Sequence, residues 1–234
     1  MIPLIALRDE LERGWTVGLD LDRARSRVAA GQVALDPLEA IGAAGDLMLA
    51  YTRATVALER AGLANDDEAA QARERRSQIM ALLASWLTGE PVSRDRVRAT
   101  ARRAAALVGS SVLRRARWDA LGRHAALVWP RPHCPCCSGT PDFALSVDDA
   151  RYLVCSRCDA QWMTPIRGCL GCDATDAPSI ARVSTPVIGY SLAICNPCGR
   201  YLKEPTGAFL ADPLIERALT AELDAAAEAR GLRL

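Results

Sequence analysis

Eight of the nine cysteines in this chain form four C-x-x-C pairs within a stretch of 65 residues. The pairs are Cys134/Cys137, Cys155/Cys158, Cys169/Cys172 and Cys195/Cys198. Two thiolates three positions apart can bind one ion while the backbone between them turns beneath it, so each pair supplies half of a tetrahedral site. Four pairs in succession predict two closed four-thiolate sites, each of which takes Zn²⁺ or a single Fe ion.

The spacing of the pairs favours sequential pairing. Seventeen residues separate the first pair from the second, ten separate the second from the third, and 22 separate the third from the fourth. We therefore expect the first two pairs to form one site and the last two the other. A crossed arrangement, in which the first pair joins the third and the second joins the fourth, remains open.

A closed four-thiolate site has no open coordination position, so metal-assisted hydrolysis is not expected and a structural role is favoured. Electron transfer or iron sensing is the alternative, because four thiolates also hold iron. The ninth cysteine, Cys136, is either a spare thiol or a reactive thiolate whose pKa the nearby ion lowers. His133 is an awkward alternative ligand because it adjoins Cys134.

Composition indicates an ordinary globular protein. The chain has 234 residues, of which 50% are hydrophobic and 24% charged, and its net charge is +1. Its first residues lack the pattern of a secretory signal, and no apolar run is long enough to span a membrane. We therefore expect a cytoplasmic protein without membrane insertion, whose thiols stay reduced for metal; disulfides are the competing interpretation.

The chain changes character near residue 127, from alanine-rich helical periodicity to short β-like runs with cysteine, proline and glycine. The predicted fold class is α+β, with an N-terminal helical bundle, two small rubredoxin-like or zinc-ribbon-like four-cysteine metal modules and a C-terminal helix. The corresponding domains are residues 1–126, 127–165, 166–211 and 212–234.

Local signals place several elements. Helices are predicted over residues 20–30, from Asp36 to about Gly62, from Asn65 to about residue 88, and from Ser93 to about Gly122. A buried stripe on the last of these comprises Val97, Ala101, Ala104, Val108 and Val112. Hairpins are predicted around Asp148-Asp149 and Pro186. The closing helix starts at Asp212-Pro213, with Ile215, Leu219 and Leu223 on one side.

Residues 94–117 carry eight arginines and one acidic residue, and Arg94, Arg98 and Arg102 recur at helical spacing. A solvated helix face is one interpretation, and a docking surface for an acidic partner or phosphate is the other. Nucleic acid is the less favoured partner, because residues 127–211 hold seven basic and seven acidic residues without a basic stripe. The chain carries no P-loop, nucleophile elbow or H-E-x-x-H motif, so no enzymatic activity is predicted.

The contexts of the cysteines resemble those of the formate dehydrogenase accessory protein family, FdhE. The shared features are Cys134-Pro135-x-Cys137, Arg151-Tyr152-Leu153-x-Cys155-x-x-Cys158, Trp162, Arg167-x-Cys169-x-x-Cys172, and Cys195-x-x-Cys198-x-x-Tyr201-Leu202-Lys203, followed by Asp212-Pro213-Leu214. They cover about residues 129–220, and the helical half adds no specific motif.

The resemblance implies a cytoplasmic maturation factor that binds the catalytic subunit of a respiratory formate dehydrogenase before its export and catalyses no reaction itself. It implies two rubredoxin-like modules whose ligands are the eight paired cysteines, with iron as the expected metal. Lys203, in the shared Tyr-Leu-Lys context, is a further candidate for contact with the partner, beside Arg94, Arg98 and Arg102. The chain departs from the family in its shorter helical half, in Ile194 where an acidic residue is usual, and in Cys136. A zinc-ribbon nucleic-acid-binding protein and a rubredoxin-like redox protein are the alternatives.

Overall fold

The computed structural model describes residues 2–16, 18–88, 95–122, 127–172, 174–175, 179–185, 189–207 and 212–234. The chain divides into two compact units. Unit 1 comprises Met1–Arg27 with Ala34–Gly122, and unit 2 comprises Val28–Val33 with Arg123–Leu234. Within the described ranges, no helix is long and apolar enough to cross a membrane.

Unit 1 is helical. Its elements are α1 Ile2–Gly14, α2 Leu21–Ala29 (whose last residues fall in unit 2), α3 Pro37–Gly42, α4 Leu47–Arg60, α5 Asp66–Glu74, a 3-10 turn over Arg75–Gln78, α6 Ile79–Thr88 and α7 Arg96–Leu121. The long helix α7 packs against α1, α3, α4, α5 and α6 and is the centre of this unit. Its predicted stripe is confirmed from Ala101 to Val112, whose alanines and valines are fully buried. The small alanine side chains allow the surrounding helices to lie close to α7.

Two of the predicted helices are each broken in two. The helix predicted from Asp36 to Gly62 stops at Gly42, and α4 restarts with Asp46 as its N-cap, whose carboxylate accepts from the amide of Leu49. The next one starts at Asn65 with the expected capping box, but the 3-10 turn interrupts it before α6. The N-cap of α7 is Asp95, whereas Ser93 lies outside the described residues. Asp46 accepts from an amide group that a continuous helix would not expose, which explains the restart at α4.

Unit 2 is built on one six-stranded sheet. The strands are β1 Pro141–Val147, β2 Ala150–Cys155, β3 Gln161–Thr164, β4 Ile180–Ser184, β5 Tyr190–Cys195 and β6 Tyr201–Pro205, in the order β3-β2-β1-β6-β5-β4. The hairpin at Asp148-Asp149 is confirmed, and both aspartates have positive φ, as a two-residue primed turn requires. Pro186 lies outside the described residues. Strands β3 and β6 were not predicted, because each is short and follows a cysteine turn.

The strand directions place all four C-x-x-C turns at the same end of the sheet. Neighbours are antiparallel within β3-β2-β1 and within β6-β5-β4, and β1 pairs in parallel with β6, with Phe143 opposite Lys203. The two halves are therefore tandem copies in the same orientation. In each copy one turn precedes the first strand and the other follows the second strand. Both pairs of turns therefore lie at the same end of the strands.

Two short helices close the chain, α8 Pro213–Leu219 and α9 Ala221–Glu228. Asp212 caps α8 as expected, but the helix ends at Leu219 with Thr220 as its C-cap, so the single predicted helix is corrected to two. The buried side of this pair comprises Glu216, Thr220, Leu223 and Ala227, whereas Leu219 is exposed. Both helices lie on the sheet face that carries Phe143, Tyr190, Leu192, Tyr201 and Lys203, which we call the helix face.

Candidate metal centres

Site A is formed by the first two cysteine pairs. Its four sulfur atoms belong to Cys134, Cys137, Cys155 and Cys158 and lie within 4.8 Å of one another. The Sγ atoms of Cys134 and Cys158 are 3.6 Å apart, and the Sγ atom of Cys137 is 3.6 Å from those of Cys155 and Cys158. All four side chains are fully buried.

Site B is formed by the last two pairs, Cys169, Cys172, Cys195 and Cys198. The Sγ atoms of Cys169 and Cys198, and those of Cys172 and Cys195, are each 3.5 Å apart. The structure thus has the sequential pairing and not the crossed one. Cys172 is exposed and Cys198 is half-buried, so solvent reaches site B but not site A.

The donor sets fit a tetrahedral ion. Thiolates bound at about 2.3 Å in a regular tetrahedron lie about 3.8 Å from each other, close to the separations found at both sites. A disulfide would require about 2.05 Å, and all nine cysteines are free. Four thiolates without a carboxylate or imidazole suit Zn²⁺ or iron and leave no open position for a reacting water.

Backbone amides support the thiolate form of the ligands. The amide of Cys136 donates to Sγ of Cys134 at 3.3 Å, that of Arg157 to Cys155 at 3.4 Å, and that of Gly171 to Cys169 at 3.2 Å. Each donor lies two residues after its cysteine, so the turn itself supplies the bond. A hydrogen bond to the charged form stabilises a thiolate.

The pKa of one thiol is lowered at each site. Burial opposes ionisation of Cys198, but hydrogen bonds from the Arg200 amide and the neighbouring thiols outweigh it and lower its pKa to about 7. Cys158 occupies the equivalent position in site A, and its neighbouring thiols likewise lower its pKa against the effect of burial. The equivalence follows from the tandem arrangement of the two halves.

Cys136 lies outside the four-sulfur group of site A although it is adjacent in sequence to Cys137. Its side chain is fully buried, which is typical of a packing thiol and not of a reactive one. His133 is exposed, and its carbonyl accepts from Nε1 of Trp129 at 2.9 Å. His124 lies outside the described residues.

Arg217 of α8 ties the C-terminal helices to site A. Its guanidinium contacts the carboxylates of Asp142 and Asp159 at 2.6 and 2.7 Å and donates to the carbonyl of Cys155 at 2.9 Å. Burial alone would lower the pKa of Arg217, but the two carboxylates outweigh it and raise the pKa well above its usual value. Since Asp159 follows Cys158 directly, this contact braces the second turn of site A from outside. No sequence pattern indicates a role for Arg217, because its partners are 58 and 75 residues away.

Lys203 is buried inside unit 2. Its ammonium lies 2.8 Å from a carboxylate oxygen of Asp224 and 4.5 Å from the centre of the Phe143 ring, and 1% of its side chain is exposed. Asp224 also accepts from the hydroxyl of Tyr201 at 2.8 Å. The expectation that Lys203 contacts a partner is therefore replaced by a structural role, in which it holds α9 on the sheet.

The arginine-rich helix α7 uses much of its charge inside unit 1. Arg114 pairs with buried Glu12 at 3.1 Å, Arg96 pairs with Glu68 at 2.6 Å, and Arg115 pairs with Asp119 at 2.9 Å. Of the three arginines predicted to form a docking stripe, Arg98 is exposed, Arg102 is half-buried, and Arg94 lies outside the described residues. Ion pairs within unit 1 therefore account for three of the eight arginines without a partner protein.

Substitution of Cys136 and of Cys137, one at a time, distinguishes the metal ligand from the packing residue. We expect Cys137→Ser to bind one metal ion per chain instead of two, because site A loses a ligand, whereas Cys136→Ser keeps both. Metal content measured by plasma mass spectrometry on protein purified without oxygen tests this. Equal metal loss in both variants would contradict the division of roles.

The difference in exposure predicts the order of metal release. A chelator reaches Cys172 directly, so release from the wild-type protein is expected in two phases, with site B first. Cys137→Ser should retain the fast phase and Cys172→Ser the slow one, as followed with a coloured chelator. A single phase shared by all three proteins would contradict this order.

Removal of Arg217 should destabilise unit 2. Arg217→Ala leaves Asp142 and Asp159 buried without their cation, and the free energy of unfolding is expected to fall by about 3–5 kcal/mol. The control is Arg230→Ala, since Arg230 follows α9, is exposed, and among the described residues its guanidinium contacts only the carbonyl of Ala226. Chemical denaturation measures both, and equal stability of the two variants would rule out the bracing role.

No protein-family model matches the chain, and no curated protein matches it in sequence. Among solved structures, it is similar to the crystal structure of the FdhE protein from Pseudomonas aeruginosa, with a TM-score of 0.68 and 23% sequence identity. The match covers 98% of this chain and 83% of that one. The resemblance inferred from the cysteine contexts is thus confirmed in three dimensions, and the chain has the fold of that FdhE protein.

Proposed function

We propose that this protein is a non-enzymatic accessory factor for a respiratory formate dehydrogenase, whose catalytic subunit it binds in the cytoplasm and assists before export. The observation that carries the proposal is the likeness to an FdhE protein over 98% of the chain. The cysteine contexts, particularly Tyr152-Leu153-x-Cys155 and Tyr201-Leu202-Lys203, support it from the sequence.

The chemistry of the two sites supports a binding role. A closed four-thiolate ion fixes the turns around it and offers no coordination position at which substrate could be activated. Metal binding can also supply about 10–16 kcal/mol of apparent free energy to a small module. In this proposal iron is the metal, and the ions keep unit 2 rigid enough to present a fixed surface.

The arrangement of the sheet supports a contact at its cysteine end. All four turns lie at this end, so one partner surface can span both sites. At site B the turn residues Gly171, Cys172, Asn196 and Pro197 are exposed, whereas Cys134 to Cys137 are buried at site A. We therefore propose the turns of site B as the part of unit 2 that meets the catalytic subunit.

A rubredoxin-like redox protein is the second candidate, and the exposure of Cys172 is the observation that favours it. An exposed ligand brings an iron ion close to the surface, where an electron can pass to or from another protein. A colourless protein that holds zinc after anaerobic purification from its own host would remove this candidate.

Affinity purification from the native host without oxygen tests the accessory role. We expect the large subunit of a molybdenum-containing formate dehydrogenase to co-elute, and deletion of the gene to abolish most formate dehydrogenase activity. Cys172→Ser should reduce recovery of the subunit, whereas Cys136→Ser serves as the matched control and should retain it. Unchanged formate dehydrogenase activity in the deletion strain, together with no such subunit in the eluate, would overturn the proposal.

A further inference from the structure

Four arginines gather on the side of the sheet opposite α8 and α9. Arg151 of β2 pairs in register with Ser146, and Arg182 of β4 pairs with Ala193, so both side chains lie on the face away from Phe143 and Lys203. Arg167 and Arg200 join them where the segment between the two halves meets site B. We call the hollow between these four side chains the arginine cleft.

The cleft adjoins site B directly. Its walls include Cys169 and Cys195 as well as the four arginines, and its cavity volume is about 20 Å³. A Cβ added to Gly171 would lie 2.7 Å from Nε of Arg200, so glycine at this position of the turn makes room for the guanidinium. The cavity has room for about one oxygen atom, and the rest of any ligand would lie at the surface.

The positive charge of the cleft is only partly balanced by carboxylates. Among the described residues, the one carboxylate that pairs with these arginines is Glu204, which lies 2.9 Å from Arg182. Arg151 donates to the carbonyls of Ile166 and Gly168 at 3.1 and 3.2 Å, and Arg167 donates to that of Asp149. These carbonyls orient the guanidinium groups without neutralising them, and the other negative charge beside the cleft is that of the site B thiolates, such as Cys169.

One donor in the cleft has no acceptor. Nε of Arg200 is buried and has no hydrogen-bond partner among the described residues. A buried N–H group without an acceptor costs free energy, more so on a charged group, and a bound anion would remove that cost.

We propose that the arginine cleft is an oxyanion-binding site, which takes a phosphate or carboxylate group with one oxygen in the cavity beside Arg200. The planar guanidinium forks match such groups, which accept paired hydrogen bonds. Arg182, whose side chain is 64% exposed, lies at the mouth of the cleft where it meets the outer oxygens. The site does not depend on the accessory role, and its test uses no formate dehydrogenase.

Titration of the full-length, metal-loaded protein with inorganic phosphate tests the site. Calorimetry at constant ionic strength, with chloride as the replaced anion, should show saturable binding. Arg200→Gln is expected to weaken it about tenfold, equivalent to about 1.4 kcal/mol. Arg182→Gln, at the exposed mouth, should weaken it less and serves as a second variant if Arg200→Gln fails to fold. The control is Arg230→Gln, which removes the same charge from an exposed position just after α9 and should bind phosphate as the wild type does.

The competing explanation is that these arginines only offset the charge of the thiolates at site B. In that case Arg200→Gln loses metal from site B while the wild type shows no phosphate binding beyond that of chloride, and the proposal is overturned. Equal weakening by Arg230→Gln would overturn it as well.

Competition by a hexaglutamate peptide distinguishes the source of the oxyanion. Tighter binding of the peptide than of phosphate identifies a protein carboxylate as the ligand, and weaker binding identifies a free anion. Both of these results support the site.

Discussion

In each half of unit 2, two C-x-x-C turns hold sulfur atoms 3.5–3.6 Å apart. This convergence is the constraint on which the unit depends, because each half is a three-stranded piece of sheet with few large apolar side chains. A first turn must come before one strand and the second after its antiparallel neighbour, so that both lie at one end of the hairpin. An ion of tetrahedral preference bound there would join the two turns and fix the register of the strands between them.

The two halves meet edge to edge through the parallel pairing of β1 and β6, which makes one sheet from two metal modules. The C-terminal helices then cover a single face of it. Their contacts are unusually polar: Arg217 reaches Asp142 and Asp159, Asp224 receives Tyr201 and Lys203, and Tyr190 donates to Glu216. These partners are far apart in sequence, and a buried ion pair with several hydrogen bonds imposes a specific geometry that apolar packing alone does not.

Charge in unit 2 is separated between the faces of the sheet. Residues 127–211 are balanced in number, with seven basic and seven acidic residues, and this balance favours no partner. In the structure, Asp142 and Asp159 are neutralised by Arg217, whereas on the other side no carboxylate of a described residue forms an ion pair with Arg151, Arg167 or Arg200. A sum over the chain therefore concealed a positive region next to site B.

The sequence by itself determined the metal chemistry, the sequential pairing as the favoured one, the helical first half and the hairpin at Asp148-Asp149, because each of these depends on residues close together in the chain. Prediction from the sequence was wrong at Gly42 and at Lys203. The Asp46 cap after Gly42 divides a helix that periodicity alone would continue, and Lys203, predicted to contact a partner, is buried against Asp224 and Phe143. Only the tertiary structure decided that both sites lie at one end of one sheet, that site B is exposed while site A is not, and that Arg200 lies against Gly171. The order of the strands, the burial of side chains and the pairing of charged groups arise from contacts between residues distant in sequence. Spacing along the chain carries no information about such contacts.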